Sequence, residues 1–234
     1  TLPMGIVFGE RHGVQGWIGT VVGFLGVVGI LLAATSSDPP AAPVVEPGAS
    51  VPGLWPELAE TGNGLVSMVS TSTERDALRF GIMGVDEPLN QLGQFTVDGE
   101  LFVNWADYPK VAWSVPSAQL VTWLEKSGEG TYAYHVKYYV PQRHDLARGT
   151  LHDDRSDTEH GFVSITPISG EKFSVVWLDG RHTSGGHGGE GAMTLMTRTV
   201  DMFGRLGPEE LLDDRVCDCC STDAITLDDG TVVF

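Results

Sequence analysis

Three short stretches hold residues suited to moving a proton or gripping an anion. In Asn104-Trp105-Ala106-Asp107-Tyr108-Pro109 a carboxylate stands among aromatics. Partial burial there would raise the pKa of Asp107 toward the range a general acid requires. An Asx turn before Pro109 accounts for the same residues without catalysis. Glu159-His160 ends a charged stretch and opens a strand, and a carboxylate beside an imidazole offers an acid/base pair or metal ligation. Strand neighbours point to opposite faces, however, so a structural hydrogen-bonding role competes. In Asp179-Gly180-Arg181 the guanidinium is the first choice for clamping an anion through paired N–H donors, ahead of Arg155 and Arg79. The alternative is a local Asp179–Arg181 pair that shapes a turn.

Other reactive side chains carry weaker patterns. His182 and His187 lie in a glycine-rich loop, but their spacing fits no fixed helical or hairpin metal site. The acidic run 153–159 lacks the Asp-x-Asp-x-Asp-Gly order of a calcium loop, so neither metal nor cofactor is expected. Cys217, Cys219 and Cys220 are the only cysteines, and Cys217-x-x-Cys220 has the spacing of redox and zinc sites. With no second such pair and no βαβ setting, a local disulfide or buried thiols come first, then metal, then redox. One bridge would leave an odd thiol.

Short β-rich runs must position these groups. A large apolar residue falls at Met68, Trp123, Trp177 and Phe234, at intervals of 55, 54 and 57 residues, each after a turn signal. A turn, a β-rich run and an apolar anchor repeating at this period is the pattern of propeller blades. The expected fold is therefore all-β, with three blades over 61–234 and the first strand of a fourth, which marks the chain as a piece of a longer propeller. Trp123 and Trp177 belong to the core in this scheme, whereas Trp105, outside the repeat, is free to stack on a sugar. A hairpin is expected at Asp98-Gly99, an alternating strand over 131–138 and a short helix over 208–213.

The 234 residues carry 14 Lys and Arg against 31 Asp and Glu. A net charge of −17 repels phosphate backbones, so nucleic acid is not an expected partner. Residues 17–34 form an uncharged apolar run preceded by Arg11 and followed by no Lys or Arg until Arg75. That asymmetry points to an exported protein, periplasmic or on the outer membrane face, with 1–37 a signal peptide or membrane anchor. Six prolines from Pro39 to Pro56 mark 38–60 as an extended linker. Oligomeric state is not legible.

At Asn104-Trp105-Ala106-Asp107-Tyr108-Pro109, Thr158-Glu159-His160-Gly161-Phe162-Val163-Ser164, Trp177-Leu178-Asp179-Gly180-Arg181 and Cys217-Asp218-Cys219-Cys220-Ser221-Thr222, the sequence resembles bacterial exported sialidase-like proteins of the BNR-repeat propeller superfamily. The likeness covers about 65–234. It implies a six-bladed propeller of which this chain is the first half, and a glycoside hydrolase acting on terminal, sialic-acid-type sugars. On that expectation Asp107, Glu159 and Asp179 are the catalytic carboxylates, and Arg181, His160, Asn104, Trp105 and His187 hold substrate. A non-catalytic propeller binding glycans or envelope proteins is the alternative. The early Arg-Ile-Pro of true sialidases is absent, and the closest stretches to their Asp-boxes are 144–150 and 226–231. The nucleophilic Tyr and its Glu partner would belong to later blades.

Overall fold

A computed structural model describes residues 54–61, 65–72, 76–84, 90–141, 147–184 and 190–234. The expected N-terminal hydrophobic segment and most of the linker lie outside the described residues. Among the described residues no helix is long and apolar enough to cross a membrane.

The chain is all-β and built of antiparallel sheets taken in chain order. The first sheet is β1 (Leu54–Glu60), β2 (Leu65–Thr71), β3 (Ala77–Gly84) and β4 (Asn90–Thr96). In the second, β5 (Leu101–Phe102) and β6 (Lys110–Ser114) share one edge of β7 (Ala118–Lys126), and β8 (Tyr134–Tyr139) and β9 (Arg148–Thr150) follow on the other. Thus β5 and β6 are one edge strand interrupted by residues 103–109, the stretch that carries Asp107. The third sheet is β10 (His160–Ile168), β11 (Lys172–Asp179), β12 (Met193–Asp201) and β13 (Glu210–Val216). A last hairpin pairs β14 (Ile225–Thr226) with β15 (Val232–Val233). The first strands touch in series: β1 packs on β6, β6 on β10 and β10 on β14.

The period-2 alternation of a strand explains how the sheets are held face to face. From β7, Val121 and Trp123 enter one core with Val69, Leu78 and Phe80 of the first sheet. Leu120 and Leu124 point the other way, into a second core with Phe173, Val175 and Trp177 of the third. Both faces of β7 are consequently buried, and its polar Gln119, Thr122 and Glu125 are buried along with the apolar residues. Trp123 and Trp177, 54 positions apart, occupy matching places. Each lies opposite an irregularity in the preceding strand, and each indole N–H donates to the carboxylate two residues on, Glu125 or Asp179.

Several sequence expectations change. The first sheet already begins at Leu54, inside the stretch expected as linker. Asp98-Gly99 does not close a hairpin: it joins β4, paired to β3, with β5, paired to β7, and so connects two sheets. The expected helix over 208–213 is replaced by β13, whose backbone satisfies the open edge of β12. Leu211 and Leu212 are both exposed, leaving no apolar face on which a helix would dock. Phe234, expected as a core anchor, is 41% exposed. The side chain of Met68 is outside the described set, and the irregularity in β1 stands opposite Ser70 instead.

Candidate functional site

Asp107 is placed by its own loop. The Asn104 side-chain oxygen accepts from the N–H groups of Ala106 and Asp107, both at 2.7 Å, and the Asn104 N–H donates to the Asp107 carbonyl at 2.8 Å. This local turn drives the Asp107 carboxyl inward, where it is 3% exposed, and leaves Trp105 at the tip, 79% exposed. Oδ1 accepts from the Phe162 N–H at 2.5 Å, while Oδ2 is buried without a hydrogen-bond partner. Phe162 offers that N–H because it sits in a bulge of β10 with φ of 52°. Burial raises the pKa of Asp107 to about 6; the Phe162 N–H opposes the shift and Glu159 adds to it.

Gly161 lets the next groups come close, since a Cβ there would stand 3.0 Å from Asp107 Oδ2 and 3.1 Å from the Tyr134 ring. Tyr134, stacked on Phe102, donates its hydroxyl to Glu159 Oε1 at 2.6 Å. Burial, then Glu159, pushes the phenol's pKa well up, so Tyr134 keeps its proton and donates it to Glu159 in that hydrogen bond. Glu159 lines a cavity of about 390 Å³ with Tyr132, Asp157, Thr158, Ser184 and Asp218. Removing the hydroxyl in Tyr134→Phe should cost about 1–3 kcal/mol, because a buried carboxylate oxygen loses its donor; urea denaturation would register it, and an unchanged midpoint would contradict the pairing.

His160 follows Glu159 but has different partners, as strand alternation dictates. Its Nδ1 donates toward the Thr158 carbonyl at 3.1 Å, and its Nε2 lies 3.1 Å from Asp154 Oδ2 and 3.7 Å from Asp179 Oδ1. The ring stacks on His152 at 3.8 Å and an interplanar angle of 2°, with His135 beside both. The three histidines are close enough to suggest a metal, but both nitrogens of His152 are engaged, by the Val136 N–H and the Asp154 carbonyl. Parallel rings also send their in-plane lone pairs side by side, not to one point. Burial, with the neighbouring imidazoles, lowers the pKa of His152 to about 2, so it stays neutral.

Asp179 is wholly buried and takes four donors: the Trp177 indole, Arg181 Nε and Nη2, and the Arg181 backbone N–H. Burial alone would raise its pKa, but these bonds, Arg181's first, hold it at about 2. Arg181 also reaches Glu209 at 2.9 Å, so its guanidinium already bridges two carboxylates. Asp179 is thereby fixed as an anion that orients its neighbours. Of the other named candidates, Arg155 and His182 are exposed, and His187 lies outside the described residues.

The cysteines are exposed free thiols, not buried ones, and Cys217 and Cys220 line a cavity of about 230 Å³ with Val176, Leu178 and Leu195 of the third sheet. Two hydrogen-bonded neighbours, Cys220 first, lower the Cys217 pKa, and donation to Cys217 raises that of Cys219 to about 11. The loop returns at Thr222, whose hydroxyl donates to the Phe162 carbonyl. Ser221 and Thr222 then line a groove of about 240 Å³ with Trp105, Tyr108, Lys110 and Phe162.

Sequence reasoning missed Tyr134, His135, His152 and Glu209. The alternation of β8 separates Tyr134 from His135, but nothing in the sequence shows that β10 brings Glu159 and His160 to their two faces.

The site and fold together define an all-β protein of serial antiparallel sheets with a buried carboxylic acid between the second and third. No protein-family profile and no curated protein matches the sequence. Among solved structures, the alpha-L-arabinanase of Penicillium chrysogenum complexed with arabinobiose aligns over 77% of this chain and 74% of that one, at 10% identity and a TM-score of 0.30. A likeness this low carries no argument about activity.

Proposed function

We propose that the chain is a sialidase-like β-propeller domain, exported from the cytoplasm, that binds terminal sugars beside the Trp105 loop and cleaves glycosidic bonds with Asp107 as the acid. The observation that carries the reading is Asp107 itself: a buried carboxyl with a pKa of about 6 and one oxygen left without a partner. A group so poised holds a proton up to mildly acidic pH, about 6, within the range a general acid needs to protonate a leaving glycosidic oxygen. Trp105 offers an exposed ring for a sugar face, with Tyr108, Lys110 and Thr222 as polar neighbours. Glu159 supplies a second carboxylate, steadied by Tyr134. Four-stranded sheets in series, with their first strands adjacent, support the propeller reading.

Binding without hydrolysis is the second reading, favoured by the burial of Asp107 Oδ2 and by the engagement of Arg181 with Asp179 and Glu209. A panel of aryl glycosides together with a glycan-binding screen decides between them. For the hydrolase, Asp107→Asn lowers turnover at least about 100-fold while keeping affinity. For the binding module, no sugar is turned over and Trp105→Ala abolishes binding. Neither turnover nor binding across the panel would overturn both.

A further inference from the structure

The loop that follows β13 gathers three sulfur atoms for which the sugar site has no use. Cys217 Sγ lies 3.3 Å from Cys219 Sγ and 2.8 Å from Cys220 Sγ, and all three fall within 4.8 Å of one another. None is bridged and all are exposed, so a solute ion can reach them. Across 213–223 the flanking charges are Asp213, Asp214, Asp218 and Asp223 against Arg215. That local field, within a chain of net charge −17, favours a cation.

We propose that Cys217, Cys219 and Cys220 form a binding site for a thiophilic d10 metal ion, with Cu(I) the ion they fit best. Soft thiolate donors select such ions over hard ones. Among the described residues no fourth histidine, cysteine or carboxylate joins the group, whereas structural zinc sites take four protein ligands. Three sulfurs around one ion at a metal–sulfur distance near 2.3 Å would stand roughly 4 Å apart. The cluster therefore has to open by about 1 Å, which an exposed loop outside any strand permits. Binding releases the remaining thiol protons to solvent and changes no oxidation state. A Cys217–Cys220 disulfide would use two sulfurs and leave Cys219 without a purpose. The ion also has a structural consequence, because the same loop runs on to Thr222, which bonds to Phe162, the residue whose N–H holds Asp107.

The test titrates the whole chain, reduced and desalted without oxygen, with Cu(I) buffered by a chromogenic chelator, and in parallel with Zn(II). The expected result is one Cu(I) withdrawn per chain and the loss of all three reagent-accessible thiols. Cys219→Ser should weaken binding at least about 100-fold, since even the loss of an outer-sphere partner costs 10–100-fold. Far-ultraviolet circular dichroism of the variant should match wild type, because the side chain is exposed. The proposal is overturned if the reduced chain withdraws no ion, or takes up Zn(II) in preference to Cu(I). It is equally overturned if Cys219→Ser binds as wild type does, or if oxidation joins Cys217 to Cys220 in a chain that binds no metal when reduced.

Discussion

Replacing Asp179 by alanine is expected to lower stability by about 3–5 kcal/mol, because it leaves the partners of a buried ion pair without their acceptor. The Trp177 indole N–H and two guanidinium nitrogens of Arg181 converge on this carboxylate, which has no exposed surface. Asp179→Asn, which keeps an acceptor oxygen, should lose less. The pH dependence gives an independent reading. The folded-state pKa lies at about 2, below the ordinary 3.8, so the contribution is present above 3.8 and is lost as pH falls through about 2. Urea midpoints measured down that window should fall further for wild type than for the alanine variant, in which Asp154 and Asp201, also held below the ordinary carboxylate range, still titrate. An identical acid limb in both proteins would mean that Asp179 is not the paired anion described.

Asp107→Asn should act in the opposite direction. Here the folded-state pKa of about 6 lies above 3.8, so stability is fully present below 3.8 and declines as pH rises through about 6. Ionising the buried carboxyl over that interval costs roughly 2–3 kcal/mol at about 1.4 kcal/mol per pKa unit. Asparagine cannot ionise, and its side-chain oxygen can still accept from the Phe162 N–H. The stability of the variant relative to wild type should therefore climb by that amount from acid to mildly alkaline pH. A constant difference across the range would show that Asp107 does not carry a raised pKa. The two aspartates thus receive opposite tuning from neighbouring stretches of one fold: one has few donors in a buried turn, the other has four.

That contrast marks where the sequence stops being legible. The 54-residue match between Trp123 and Trp177 is visible because both are the central anchors of equivalent strands, and the same large side chain fills both cores. The Asp107 turn is also local, since Asn104 organises it from three residues away. Tyr134 reaching Glu159 depends instead on the spacing between β8 and β10, which no short-range pattern encodes. The same holds for Arg181, which needs Glu209 from beyond β12 to complete its bridge. β13 forms where the sequence predicts a helix because pairing with an open strand edge overrides a short run of helix-compatible residues.

The raised pKa of Asp107 is tested most directly by a carbon-13 NMR titration of the aspartate carboxyl groups, with Asp107→Asn used to assign the Asp107 signal. A carboxyl resonance, present in wild type and missing from the variant, should titrate with a midpoint of about 6. If the Asp107 signal instead titrates at or below 3.8, the residue is an ordinary ionised carboxylate at neutral pH, and the acid on which the proposed chemistry rests is not there.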